Sequence, residues 1–174
     1  MSWLKGEKVY LRAIDLEDVD FIAQVENDES LWEYSNVIAP FSKYIIEQYV
    51  LNSFKDLYET KQLRFIISDY EDCNLGIIDL FDFDFKNKRA GVGVLIAKTE
   101  DRKKGYAKEA LKLLENYAFK QLDLHQLYCN INEDNFASLG LFEAAGFEIV
   151  GLKKDWNYYS GNFKNEYLLQ LIKN

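Results

Sequence analysis

The chain is poor in several residue types, and each shortage closes off a class of function. Its 174 residues hold one histidine, His125, and two cysteines, Cys73 and Cys129. One histidine rules out a His-rich metal centre and stands against a Ser-His-Asp triad. Two cysteines are too few for a disulfide framework and show no metal-ligand spacing, so both read as free thiols and no metal is expected. Pro40 is the sole proline, and there is no repeat, no low-complexity tract and no Pro/Gly/Ser linker. Residues 1–174 therefore read as a single domain. No apolar run approaches the roughly 20 residues of a membrane span. The opening Met1-Ser2-Trp3-Leu4-Lys5-Gly6 has no apolar core and no cleavage site, so no secretory signal is read there. These absences predict a cytoplasmic location and no membrane partner. Positive charge is also short, with a formal net charge of −8. A duplex-binding protein needs a basic face for phosphates, so no nucleic-acid partner is expected. An acidic chain more naturally meets a cation, such as an amine.

What is present is core material: 48% of the residues are hydrophobic and 16% aromatic, enough for one globular domain. Lys8 to Ile14 alternates and predicts a first strand. Asp15, with Asp18 three residues on, caps a predicted helix through Val25. Ser42 opens a second amphipathic helix, expected to run to about Tyr58. Three strand-like runs follow, Leu63 to Tyr70, Gly76 to Phe85 and Ala90 to Ala97. A long helix is read from about Gly105 to Leu122, with Ala107, Ala110, Leu111, Leu114, Tyr117 and Ala118 on one stripe. His125 to Ile131 reads as a strand, Phe136 to Ala145 as a helix stopped by Gly146, and Phe147 to Tyr159 and Phe163 to Ile172 as the closing strands. Short links make the early strands antiparallel, and the later strand-helix-strand units imply some parallel pairing. The expected fold is α/β (α+β): a mixed, mostly antiparallel sheet of about seven strands with helices on both faces.

The chemistry concentrates between Val92 and Leu111. The stretch reads as strand, short polar loop, helix. The first turn of a helix has unpaired N–H groups and a partial positive charge. Successive loop amides feeding that turn make an anion cradle. Gly105 lets the backbone approach a ligand, and Arg102, Lys103 and Lys104 add cations. In so acidic a chain, three adjacent cations at this junction point to a phosphate site. The loop lacks the Gly-Lys-Ser/Thr ending of a Walker motif and the three glycines of the dinucleotide fingerprint.

Arg102-x-x-Gly105-x-Ala107 resembles the Gln/Arg-x-x-Gly-x-Gly/Ala acetyl-CoA signature of the GNAT superfamily of N-acetyltransferases. A second stretch, Asn135 to Phe147, resembles the family's Asn-x-x-Ala/Ser-x-x-Leu/Ile-Tyr-x-x-x-Gly-Phe, with Asn135, Ser138, Leu141, Gly146 and Phe147 at matching places. Two motifs in the right order, about 30 residues apart, are far more specific than either alone. The Tyr10-Leu11-Arg12 opening and the Tyr158 to Glu166 hairpin look like the branch of ribosomal-protein N-terminal and spermidine acetyltransferases.

The resemblance implies acetyl-CoA as co-substrate and transfer of its acetyl group to a primary amine by direct attack in a ternary complex. The acceptor is a polyamine, another small amine or a peptide N-terminus. The implied CoA contacts are Val94, Leu95 and Ile96 on the strand, Arg102, Lys103, Lys104, Gly105, Tyr106 and Ala107 at the cradle, and Asn135, Ser138, Leu141 and Phe142 beyond. A strand amide near Val94 or Leu95 would polarise the thioester carbonyl. The chain departs from the family twice. The tyrosine that often protonates the thiolate falls at Phe142, and a glutamate common on the fourth strand falls at Gly91. Substitute acids and bases are sought at Asp82, where spermidine enzymes carry a substrate-binding acid, and at Glu33. Asp79 and Asp82 are an odd step apart, so a regular strand would turn them to opposite faces. Trp32 and Tyr34 are candidate walls for the acceptor. The two departures leave an acyl-CoA-binding sensor or partner module as the alternative. The aromatic final hairpin allows a homodimer.

Overall fold

The computed structural model describes residues 3–35 and 37–173. Its first strand, β1 (Val9–Ala13), buries Val9 and Leu11 and turns Tyr10 and Arg12 outward, the period-2 pattern of a half-buried strand. Asp15 then forms the expected capping box with Asp18. Asp18 also takes both guanidinium nitrogens of Arg12, at 2.8 and 2.7 Å, so the buried carboxylate welds strand to helix. Helix α1 (Val19–Glu26) follows, and a 3-10 segment (Glu29–Tyr34) leads toward α2 (Lys43–Leu51).

The second helix is shorter than its apolar pattern predicts. The Asn52 side chain donates to the Gln48 carbonyl at 2.6 Å, and the Ser53 hydroxyl to that of Val50 at 2.7 Å. These side chains take the last-turn carbonyls that a continuing helix needs. Asp56 then caps a separate single turn, α3 (Leu57–Thr60).

Three strands follow as a meander, β2 (Leu63–Asp69), β3 (Asn74–Asp84) and β4 (Arg89–Ile96). Helix α4 (Tyr106–Lys120) leads to β5 (Gln126–Asn132), and α5 (Phe136–Ala144) to the long hairpin β6 (Glu148–Tyr159) and β7 (Asn162–Ile172). The sheet order is β1-β2-β3-β4-β5-β7-β6, and every neighbouring pair is antiparallel except β4–β5. Alternation along the strands divides the core between two faces. Phe65, Ile67, Ile78, Leu80 and Val92 pack with α4 and α5, whereas Ile66, Ile77 and Leu95 pack with α1 and α2. The result is a mixed, mostly antiparallel seven-stranded sheet with helices on both faces. No described helix is long and apolar enough to cross a membrane.

The parallel pair is incomplete. β4 meets β5 only at Arg89↔Gln126, Ala90↔Leu127 and Gly91↔Tyr128. Beyond that fork β4 stays paired with β3 as far as Ile96, and β5 stays paired with β7 as far as Asn132. The sheet therefore opens into a V between Val92–Ile96 and Cys129–Asn132.

Candidate active site

The V exposes main-chain hydrogen-bonding groups along one side of β4. The Ala97 amide donates to Leu75 across β3, while the Ile96 carbonyl turns the other way and accepts from Arg102 Nε at 3.3 Å. Strand alternation then directs the N–H and C=O of Val94 and Val92 into the V. Leu95 sends its side chain to the α1–α2 cluster instead.

At the open end of β4 lies the cradle. Arg102 is extended, Lys103 has φ 62° and Gly105 has φ 88°. Glycine enters this left-handed region without the penalty a Cβ brings. Gly105 caps α4 with no side-chain hydrogen bond, so the first-turn amides of a 15-residue helix are left for another acceptor. Cations surround them. Lys8 Nζ donates to the Lys104 carbonyl at 3.1 Å, and Lys104 pairs with Asp101 at 2.9 Å. Free amides, a helix N-terminus and ammonium groups are what a pyrophosphate requires, so the loop fits the phosphate end of CoA. Glu109 fixes it from behind by accepting the amides of Glu7, Lys8 and Val9 at 2.8, 2.8 and 2.9 Å. Burial opposes ionisation of Glu109, but the three backbone donors outweigh it and hold its carboxyl below the ordinary range.

The other rim of the V is the start of α5. Asn135 Oδ1 accepts the Ser138 amide at 3.2 Å and so caps that helix. Leu141 is half-buried. Phe142 is 3% exposed and meets Phe147 edge-on at 5.0 Å, so its ring belongs to the core beneath α5.

At the fork the missing glutamate has a steric explanation. A Cβ on Gly91 would lie 2.3–2.8 Å from three ring atoms of Phe81. Phe81 therefore takes the volume that any side chain at position 91 would need, and Gly93 lies under the same ring. Tyr128 meets Phe81 edge-on at 6.2 Å. Burial, with the charge of Asp82 adding, pushes the Tyr128 phenol upward. Asp82 itself is exposed at φ 49°, in a register irregularity between Phe81 and Asp84. That irregularity breaks the parity expected of a regular strand. Asp79 is consumed in a pair with Arg64 at 2.6 Å, and Glu26 binds the same guanidinium at 2.7 Å.

The segment Glu29–Tyr34 crosses the mouth of the V. At its start Asp28 is held below its usual range by the hydroxyl and amide of Ser30, with the Arg102 charge adding. At its end the Glu33 carbonyl accepts from Asn132 at 3.5 Å. The Glu33 carboxylate is ion-paired with Lys164 of β7. Trp32 points back, donating to the Glu26 carbonyl at 3.0 Å, and Tyr34 is exposed. Sequence reading missed Phe81 and Lys164. Lys164 gives no sequence signal, because its contacts depend on register and chain return. For Phe81 there was one: two glycines inside a strand mark a close approach.

The profile of the acetyltransferase (GNAT) domain matches residues 8–148. The chain belongs to the GNAT acetyltransferase family. As a member it is an N-acetyltransferase that takes its acetyl group from acetyl-CoA and passes it to an amine. An uncharacterised N-acetyltransferase, p20, of Bacillus licheniformis is 29% identical over 99% of this chain and 97% of its own. The spermidine N(1)-acetyltransferase of Vibrio cholerae serotype O1 is 24% identical over 95% of each chain. A crystal structure of the Vibrio cholerae spermidine N-acetyltransferase with CoA and spermine has the same fold, with a TM-score of 0.85 at 22% identity over 96% of each chain. Among the described residues of this GNAT chain no group of His, Cys, Asp and Glu is arranged to hold a metal.

Proposed function

We propose that the V between β4 and β5 is the acyl-donor site, and that the acceptor amine approaches from the α1–α2 face. The observation that carries this reading is the coincidence of the open β4 edge with the cradle at its end. Val94 and Val92 both turn their amides into the V, and Val94, the nearer to the cradle, is assigned to the thioester carbonyl. Arg102, Lys103, Lys104 and Gly105 hold the phosphates, with Tyr106 and Ala107 in the first helical turn. Ile96 is shared with Arg102. Asn135, Ser138 and Leu141 form the opposite wall. Acetyl-CoA supplies a thioester whose thiolate can depart; the chain orients it and excludes water.

The attacking amine must be neutral. Gly91 offers no base, and Glu33 is held by Lys164. Asp82 pairs with no cation among the described residues and stands beside Tyr128 at the fork. We assign it as acceptor of the amine proton, directly or through one water. We read the chain as cytoplasmic, which two free thiols support, and as a homodimer through the exposed aromatics of the β6–β7 hairpin.

The test is CoA thiol release with a panel of polyamines, amino acids, aminoglycosides and peptides with free N-termini. Release dependent on one acceptor class is expected. Gly105→Asp puts a Cβ and a negative charge at φ 88° in the cradle, and acetyl-CoA affinity should fall at least about tenfold, ~1.4 kcal/mol. Unchanged affinity in a folded variant overturns the phosphate assignment. The buried Phe142 and the sealed Gly91 favour one other reading, an acyl-CoA-binding module. Binding without release across the whole panel would select it.

A further inference from the structure

Lys164 lies where a substrate cation would be expected. Its ammonium contacts the Glu33 carboxylate from the mouth segment and Asp134 Oδ2, at 2.5 Å, from the turn before α5. It also sits 5.9 Å above the Tyr159 ring. Two carboxylates and an aromatic face form a receptor for a primary ammonium group. The side chain is only 22% exposed. The three elements it joins are the mouth segment, the β5–α5 turn and β7. Nearby, Lys153 does the same for Glu166, donates to Asn130 at 2.9 Å and lies 4.7 Å from the Trp156 ring.

The acceptor face is placed here by strand alternation. Leu127, Cys129 and Ile131 pack with α4 and α5, so Tyr128, Asn130 and Asn132 face the other side. Their β7 partners Gln170, Leu168 and Glu166 face the same way. On this face Glu33, Asp134 and Glu166 each already hold an ammonium group of the chain itself.

We propose that Lys164 determines acceptor specificity by filling from within the ammonium site between Glu33, Asp134 and Tyr159, so that the enzyme takes acceptors with one amine and excludes polyamines. This rests on the acceptor face assigned above. A polyamine bound with its first amine at the fork has a second ammonium group to place. Here that place is taken, and displacing Lys164 would leave two like charges competing for the same carboxylates. Exclusion by an occupied site is specificity through repulsion rather than through added attraction.

The experiment compares the full chain with Lys164→Met, Lys164→Arg and the triple variant Lys164→Met/Glu33→Gln/Asp134→Asn. Initial rates are measured with spermidine and with a tetrapeptide bearing a free N-terminus. Calorimetry with spermidine and with acetyl-CoA runs alongside. Lys164→Met should raise kcat/KM for spermidine relative to the tetrapeptide at least about tenfold, and tighten spermidine binding by a similar factor. Lys164→Arg keeps the cation and should match the parent chain. The triple variant should lose the gain, with acetyl-CoA affinity unchanged. If Lys164→Met fails to fold, Lys164→Gln replaces it. An unchanged ratio and unchanged spermidine binding would overturn the proposal, as would a parent chain that prefers spermidine. If no protein turns over any acceptor, the acetyl-transfer reading fails. The calorimetric comparison then still decides whether the site exists and what fills it.

Discussion

The Gly91–Phe81 pair shows how one residue's absence is another's presence. A methyl group at position 91 has no room while the ring stays in place. Gly91→Ala should therefore destabilise the chain by about 1–3 kcal/mol, the usual cost of overpacking. In the Phe81→Ala background the same change should cost at least about 1 kcal/mol less, because the two sites share one volume. Denaturant unfolding of the four proteins of this cycle measures the coupling, and additive effects would refute the steric account. Asp82 is argued on the same scale. If it takes the amine proton, Asp82→Asn should lower kcat by about 100-fold, with the acetyl-CoA KM unchanged. A drop confined to KM would assign it to substrate binding.

Elements show most plainly what the sequence could disclose. Strands and helices were legible wherever alternation or a 3.6-residue stripe ran uninterrupted, as in β1 and α4. Reading failed where side chains compete with the main chain. Asn52 and Ser53 end α2 by taking its carbonyls, and apolar spacing carries no trace of that. The cradle was legible because its loop and helix are contiguous in sequence. The V was not: pattern predicted some parallel pairing around the later strand-helix-strand units, but neither its restriction to β4–β5, with β7 inserted between β5 and β6, nor its end after Gly91↔Tyr128. The Glu33–Lys164 contact joins residues 131 apart and depends on the return of the final hairpin. Helix α4 carries its own prediction. Glu115 has one carboxyl oxygen buried without a partner, and burial pushes its pKa up to about 7. A carboxyl raised in the folded state favours folding by staying protonated. That advantage is complete below the ordinary value of 4.5 and is lost as pH rises through about 7. Glu115→Gln should therefore raise Tm at pH 8 and leave it nearly unchanged at pH 4. An equal gain at both pH values would deny the titration.

At the scale of the whole molecule, exposed apolar side chains gather in two places, the 34–58 segment and the terminal hairpin. Trp156, Tyr158 and Phe163 are each at least 60% exposed, and β6 is the outer strand of the sheet. An exposed edge of this length invites pairing. Sedimentation at micromolar concentration should give a dimer here, and a monomer would leave the hairpin aromatics without that role.

The fork has a mechanical consequence. Strands β1–β4 form one leaf and β5–β7 another, and among the described residues the main chains of β4 and β5 are stitched at three residue pairs, beside which the Lys88 carbonyl takes the His125 amide. Helices α4 and α5 span the gap with side chains, whose contacts yield more readily than a ladder of amides. A donor lying in the V and bonding to Val92 and Val94 would act as a removable stave between the leaves, so loading would stiffen the chain without needing to reshape it.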